Sequence, residues 1–220
     1  MEVWRTSSFQ CWYAAQRAAG NVLLGARLVW ASRLAEEQSA VFFWALHVRM
    51  YVAAEDRAKD NEIVISRPDV SVVALYRPGV SLDETAVVLV REFRSSASTP
   101  DGFVHELPGG SSPDQAVGAM HLQAVDEVAE EVGLRIDAAR FRVHGSRQVA
   151  ATVSAHRAHL FSAEISDGEL TWLRKQGDRP RGAGRDSERT WVEVATYGEI
   201  RAARLVDWAT LGMLAEVLGR

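Results

Sequence analysis

The sequence predicts an α+β fold: a sandwich built on a mixed sheet, preceded by a helical extension. Three observations predict it. Short runs rich in β-branched and aromatic residues fill the middle of the chain, one well-bounded acidic helix interrupts them, and a second helix closes the chain. The order of strands, helix, strands, helix lacks βαβ regularity, so a doubly wound parallel sheet is not expected.

Taken in order, residues 1–40 place Ala14, Ala15, Ala18, Ala19, Val22, Leu23, Leu24, Leu28, Val29 and Leu34 at roughly helical spacing, which predicts a helical N-terminal extension. A main domain is expected over 41–220. It opens with Val41 to Val52, rich in aromatic and β-branched residues. Glu62 to Ser66 and Val70 to Tyr76 read as strands, and Arg77-Pro78-Gly79 as a turn. Thr85 to Phe93 is a long strand, apolar first and charged at its end. Phe103 to Leu107 is a shorter one, stopped by Pro108-Gly109-Gly110. A helix is expected over about 113–132. Ser112-Pro113 is a start signal and Gly133 stands where a left-handed cap is wanted. Phe141 to Val149, Ala158 to Ile165 and Thr190 to Val194 are further strands, Ser166 to Arg189 is a polar stretch, and Ala209 to Leu218 is the closing helix.

The bulk numbers narrow the function classes. The 220 residues carry 29 acidic and 25 basic side chains, a net charge of −4, so no nucleic-acid partner is expected. Arg17 and Arg27 interrupt the apolar early segment, and no run of about 18 apolar residues occurs, so no membrane span is expected. Met1-Glu2-Val3-Trp4-Arg5 does not look like a secretory start. The lone Cys11 forms no intramolecular disulfide. A cytoplasmic protein is the expectation. The histidines, His47 and His144 among them, lack partner spacing for zinc, and Gly182-Ala183-Gly184 is not followed by the Lys-Ser/Thr of a phosphate loop.

Chemistry concentrates on the acidic helix. Glu127, Glu130 and Glu131 stand at i, i+3 and i+4 and share one face, with Asp126 beside them; Met120, Ala124, Val128 and Val132 form a core stripe. A solvated helix pairs such acids with Lys or Arg one turn away, yet none occurs between Pro113 and Leu134. Acids near a helix C-terminus also oppose its dipole. A hard divalent cation with oxygen ligands resolves this; a solvated face, or an arginine from elsewhere in the chain, is the alternative.

With these residues in view, the sequence resembles the Nudix hydrolases. Their signature ends Arg-Glu-apolar-any-Glu-Glu-any-Gly-apolar, and Asp126 to Leu134 matches it at every defined position but the first. Glu106-Leu107-Pro108-Gly109-Gly110 looks like the strand and glycine turn entering that signature. Val88 to Arg94 followed by this turn is similar to the branch that cleaves ADP-ribose and other nucleotide sugars. His159-Leu160-Phe161, and Leu205-Val206-Asp207 before the last helix, are similar too. The resemblance spans residues 44–218. It departs in two places. Asp126 stands where the family has arginine, and the first signature glutamate is missing, its place falling on Ala116 or Gly118.

The resemblance implies a Nudix-like α/β/α sandwich that hydrolyses a nucleoside diphosphate linked to a sugar, yielding nucleoside monophosphate and sugar phosphate. It implies Mg²⁺ or Mn²⁺ held by Glu127, Glu130, Glu131 and the Gly109 carbonyl, with Glu130 and Glu131 catalytic. Glu188 stands where that branch keeps its base on a late loop. Arg94, Glu106, His156 and Arg157 are the expected substrate contacts. A homodimer is expected by the same analogy, with the aromatic segment Val41 to Tyr51 as its surface. Two alternatives stand: a Nudix fold that lost catalysis and senses a nucleotide, and an enzyme acting on dinucleotide polyphosphates or nucleoside triphosphates.

Overall fold

The computed structural model describes residues 3–33, 41–111, 117–181 and 189–219. It forms two compact units, one built on Met1–Val70 and Arg147–Ala158, the other on Ser71–Ser111, Ala116–Ser146 and His159–Arg220.

In the first unit, α1 (Ser7–Ala18) starts at Thr6, whose hydroxyl accepts from the Phe9 amide, and is followed by β1 (Val22–Arg33), β2 (Val41–Val52) and β3 (Arg57–Ser66). The strands pair antiparallel in the order β1-β2-β3. Phe9, Trp12 and Tyr13 of α1 pack with Trp44, Leu46, Val48 and Met50 of β2. The buried Trp44 indole donates to Ser8 Oγ at 2.9 Å, which satisfies the one polar atom this packing buries on that ring.

The expected helix over 1–40 is corrected here. It ends at Ala18, Gly20 follows with φ 77°, and Val22–Arg33 is a strand. The physical reason lies in two bulges. The pairing skips Leu24 and Val29, so each adds one residue to β1. Leu23, Leu28 and Ala31, which meet the core, are thereby spaced five and three apart instead of by even steps. Bulged alternation imitates helical spacing. The strand then pairs with β2 across the expected boundary at 40/41, and the compact unit continues to Val70.

The second unit is α+β around a mixed sheet, as the sequence predicts. Its strands are β4 (Val70–Arg77), β5 (Ala86–Phe93), β6 (Phe103–Glu106), β7 (Gly109–Ser111), β8 (Arg142–Gln148), β9 (Arg157–Glu164) and β10 (Thr190–Thr196). Their order is β10-β5-β4-β9-β8, with β6 also on β5 and β7 on β4. The helices are α2 (Val117–Glu127), α3 (Asp167–Leu173), α4 (Tyr197–Ala203) and α5 (Trp208–Leu218). Ala86, Val88 and Val90 of β5 face a core with Met120, Ala124, Val128 and Val132; the alternate Val87 and Leu89 are fully buried too, so β5 is covered on both faces. The predicted core stripe of the acidic helix is thus the observed one. Helices α3 and α4, not expected from the sequence, begin at capping boxes: Ser166 with Glu169, and Thr196 with Glu199. No helix among the described residues is long and apolar enough to cross a membrane.

Candidate functional site

The acidic helix is α2 continued by a π-helical turn, Val128–Val132, and closed by Gly133 at φ 74°. Its start signal, Ser112-Pro113, lies outside the described residues. The stripe Met120, Ala124, Val128, Val132 repeats every four residues. At 3.6 residues per turn such a stripe drifts around a helix, and the wider last turn keeps Val132 in the core with the others.

This geometry sorts the three glutamates. Glu131 is half-buried, and its Oε2 accepts from the Gly109 amide at 2.9 Å. The Glu127 carboxylate takes a hydrogen bond from Gln123 Nε2 and lies against Gly110, where a Cβ would run into it. Gly109 is constrained by backbone instead, since a Cβ there would overlap the Ser71 carbonyl oxygen. Two glycines are therefore what lets β7 come so close to β4 on one side and to the carboxylates on the other. Glu130 and Asp126 are exposed.

Strand β5 brings a further charged group to this place. The Arg94 guanidinium bonds Glu92 Oε2 at 2.9 Å and Glu106 Oε2 at 2.9 Å through Nη2, and reaches Glu106 again from Nε at 3.2 Å. Glu92 is only 4 % exposed. It is not among the residues expected from sequence, although its phase is legible: it follows Ala86, Val88 and Val90 in steps of two, so it points inward. Glu106 lies opposite Val90 in the pairing and shares that face. Arg94 is thus clamped by two carboxylates, one of them the expected substrate contact Glu106.

Burial raises the Glu131 carboxyl to about 8. The Gly109 amide opposes this, the Glu127 and Glu92 charges reinforce it, and Arg94 opposes it. Glu127 and Glu92 thus act on Glu131, and Arg94 joins Glu92 to Glu106. The donors here are hard oxygens, which suit Mg²⁺ or Mn²⁺. Among the described residues, no three acidic, imidazole or thiol groups converge tightly enough to form a finished cage.

The helix, which carries no Lys or Arg between Pro113 and Leu134, meets one from elsewhere in the chain. The Arg181 guanidinium lies against Gly133, where a Cβ would overlap it, bonds Gln176 Oε1 at 3.2 Å and sits 5.4 Å from the Trp172 ring centre. Its backbone is held by reciprocal bonds with Thr190 of 2.8 and 3.0 Å. It places positive charge at the helix C-terminus, where the dipole favours it.

A cavity of about 530 Å³ opens where β5, β6 and β10 end, lined by Glu92, Phe93, Arg94, Phe103, Arg189 and Trp191 among others. The ring centres of Phe93 and Phe103 are 6.0 Å apart and those of Phe103 and Trp191 are 5.7 Å apart, both edge to face.

Three predicted residues remain: Glu188, His156 and Arg157. Glu188 lies outside the described residues. His156 belongs to the first unit, as does Arg157, the first residue of β9, which continues from His159 within the second unit. His156 Nδ1 meets Ser154 Oγ at 2.6 Å, and the Arg157 amide donates to Asp69 Oδ1 at 2.9 Å. Burial, and then the Arg67 charge, push the His156 imidazole below its ordinary value against the pull of Asp69. The segment Val41 to Tyr51, expected to offer a dimer surface, spends Trp44, Leu46, Val48 and Met50 on the first unit's own core. A comparison with protein-family models finds no match, and no curated protein matches the sequence.

Proposed function

We propose that this protein is a divalent-cation-dependent hydrolase of Nudix type, acting on a nucleoside diphosphate linked to a sugar, ADP-ribose-like, and releasing nucleoside monophosphate and sugar phosphate. One observation carries it: the Gly109-Gly110 turn meets the Glu131 and Glu127 carboxylates, and Arg94 is held between Glu92 and Glu106. A site this acidic is completed by cations, and a diphosphate is the substrate that brings negative charge to meet them.

Glu127, Glu130, Glu131 and the Gly109 carbonyl would hold Mg²⁺ or Mn²⁺. When bound, the ion supplies charge neutralisation and acidifies water. The chain's own residues position. The Gly109 amide fixes the Glu131 carboxylate, Gln123 fixes Glu127, and Glu92 and Glu106 hold the Arg94 fork in one plane for a phosphate oxygen. Glu188 is the proposed base and His156 and Arg157 are proposed substrate contacts on the resemblance alone.

Turnover of a panel of nucleoside diphosphate sugars with Mg²⁺ or Mn²⁺ tests this. Glu127→Gln and Glu131→Gln are expected to lower kcat at least hundredfold. Complete lack of metal-dependent turnover would defeat the proposal. A second possibility, a nucleotide-binding module without catalysis, is favoured by Asp126 in place of arginine and by the missing first glutamate. It predicts binding without turnover. Activity on triphosphates or dinucleotide polyphosphates alone would move the substrate and keep the chemistry.

A further inference from the structure

We infer that the cavity at the ends of β5, β6 and β10 is the subsite for a nucleobase, stacked among Phe93, Phe103 and Trp191; this rests on the nucleotide substrate proposed above. Sheet register brings the cavity about. Phe93 pairs with Phe103 and Arg91 pairs with Trp191, so the three rings project from one face of neighbouring strands. Glu92 and Arg94 are out of phase with them and project from the other face. Where the strands end, both sets line one opening.

The lining has two chemical ends. At one, the rings meet edge to face, and Phe93 is 58 % exposed, a large apolar ring left in water at the mouth of a cavity. A planar aromatic guest would cover it. At the other end stands the guanidinium of Arg94, held by Glu92 and Glu106; Arg189, in phase with Trp191, is exposed and also lines the opening. The ligand that satisfies both ends is planar at one end and anionic at the other. The volume lies within the range of small-molecule sites. Glu92 and Arg94 line the cavity and also belong to the carboxylate cluster, so a base seated on the rings leaves its phosphates leading towards Glu131 and Gly109. An aliphatic anion would use the guanidiniums and leave the rings uncovered.

Calorimetry on the full chain in Mg²⁺ buffer tests the subsite without any turnover, because probes with a single phosphate offer no diphosphate bond. The probes are AMP, GMP, CMP and UMP, with ribose 5-phosphate as the ligand that lacks a base. At least one nucleotide is expected to bind at least tenfold more tightly than ribose 5-phosphate. Trp191→Ala and Phe103→Ala should each weaken that nucleotide roughly ten- to hundredfold, the range for loss of one stacking partner. Trp191→Phe should retain binding within a few-fold, which separates stacking from misfolding. No nucleotide binding to the parent chain, equal binding of ribose 5-phosphate, or unchanged affinity in Trp191→Ala would each overturn the inference. Binding without hydrolysis would defeat the proposed activity and leave the subsite standing. Hydrolysis with KM unmoved by Trp191→Ala would do the reverse.

Discussion

At the scale of single residues, adjacent glycines do different work. A methyl at Gly109 meets the Ser71 backbone, which cannot step aside, whereas a methyl at Gly110 meets the end of the flexible Glu127 side chain. Gly109→Ala should therefore lower folding stability by about 1–3 kcal/mol, read from urea unfolding. Gly110→Ala should fold nearly as well as the parent and lose cation affinity, because Glu127 is displaced. Equal stability losses in the two variants would contradict this assignment. Glu131 makes a prediction of the opposite sign from a salt-bridged acid. Its folded value, about 8, lies above the ordinary 4.5, so the unfolded chain loses this proton first. Its contribution to stability is fully present below about 4.5 and is lost as pH rises towards 8, by up to about 1.4 kcal/mol per pH unit without cations. Glu131→Gln should remove that slope. Added Mg²⁺ should displace the proton and bind more tightly as pH rises, seen as buffer-dependent calorimetric heat. The cluster was legible only in part: Glu127 and Glu131 were found from spacing, while Glu92 was hidden inside an apolar strand whose alternation had not been carried through to its end.

At the scale of elements, patterns uniform in period were read correctly and broken ones were not. The four-residue stripe of the acidic helix, its closing Gly133 and the runs of β4, β5 and β9 have one period each, and the structure places them as expected. Strand β1 changes phase twice, at Leu24 and Val29, and so passed for helix. Short α3 and α4 were lost because two turns give too few apolar positions to show a period, although their Ser-x-x-Glu and Thr-x-x-Glu boxes stand in the sequence. The acidic helix also borrows its stabilising charge from outside. Arg181→Ala should lower stability by about 1 kcal/mol, measured by thermal or urea unfolding, since it removes a cation from the helix C-terminus. Unchanged stability would show that Arg181 only passes by.

At the scale of the whole molecule, the α+β class and the mixed sheet follow from the alternation of strand-like runs and helices, but the division of the chain does not. Which strands pair is a long-range matter, and nothing in residues 1–40 announces that β1 will join β2. The same pairing changes where an assembly surface is to be sought. Strand β2 is central in its three-stranded sheet, whereas β1 is an edge strand that exposes Val22, Leu24, Val29 and Trp30. Light scattering is expected to give twice the chain mass of 24.2 kDa. Trp30→Glu should shift it towards one copy, and a parent chain already monomeric would end the dimer expectation.

The end of β5 serves two linings at once, with Glu92 and Arg94 common to both, whereas Trp191 stands on β10 and bears no acid of the cluster. Selection can therefore act on the two separately. Changes at 191 and 103 would retune which ring is admitted while leaving the carboxylates in place, so a lineage could exchange one substrate for another by drift on two strands. Changes at 92 or 94 would disturb recognition and chemistry together, and those positions have the least freedom to vary.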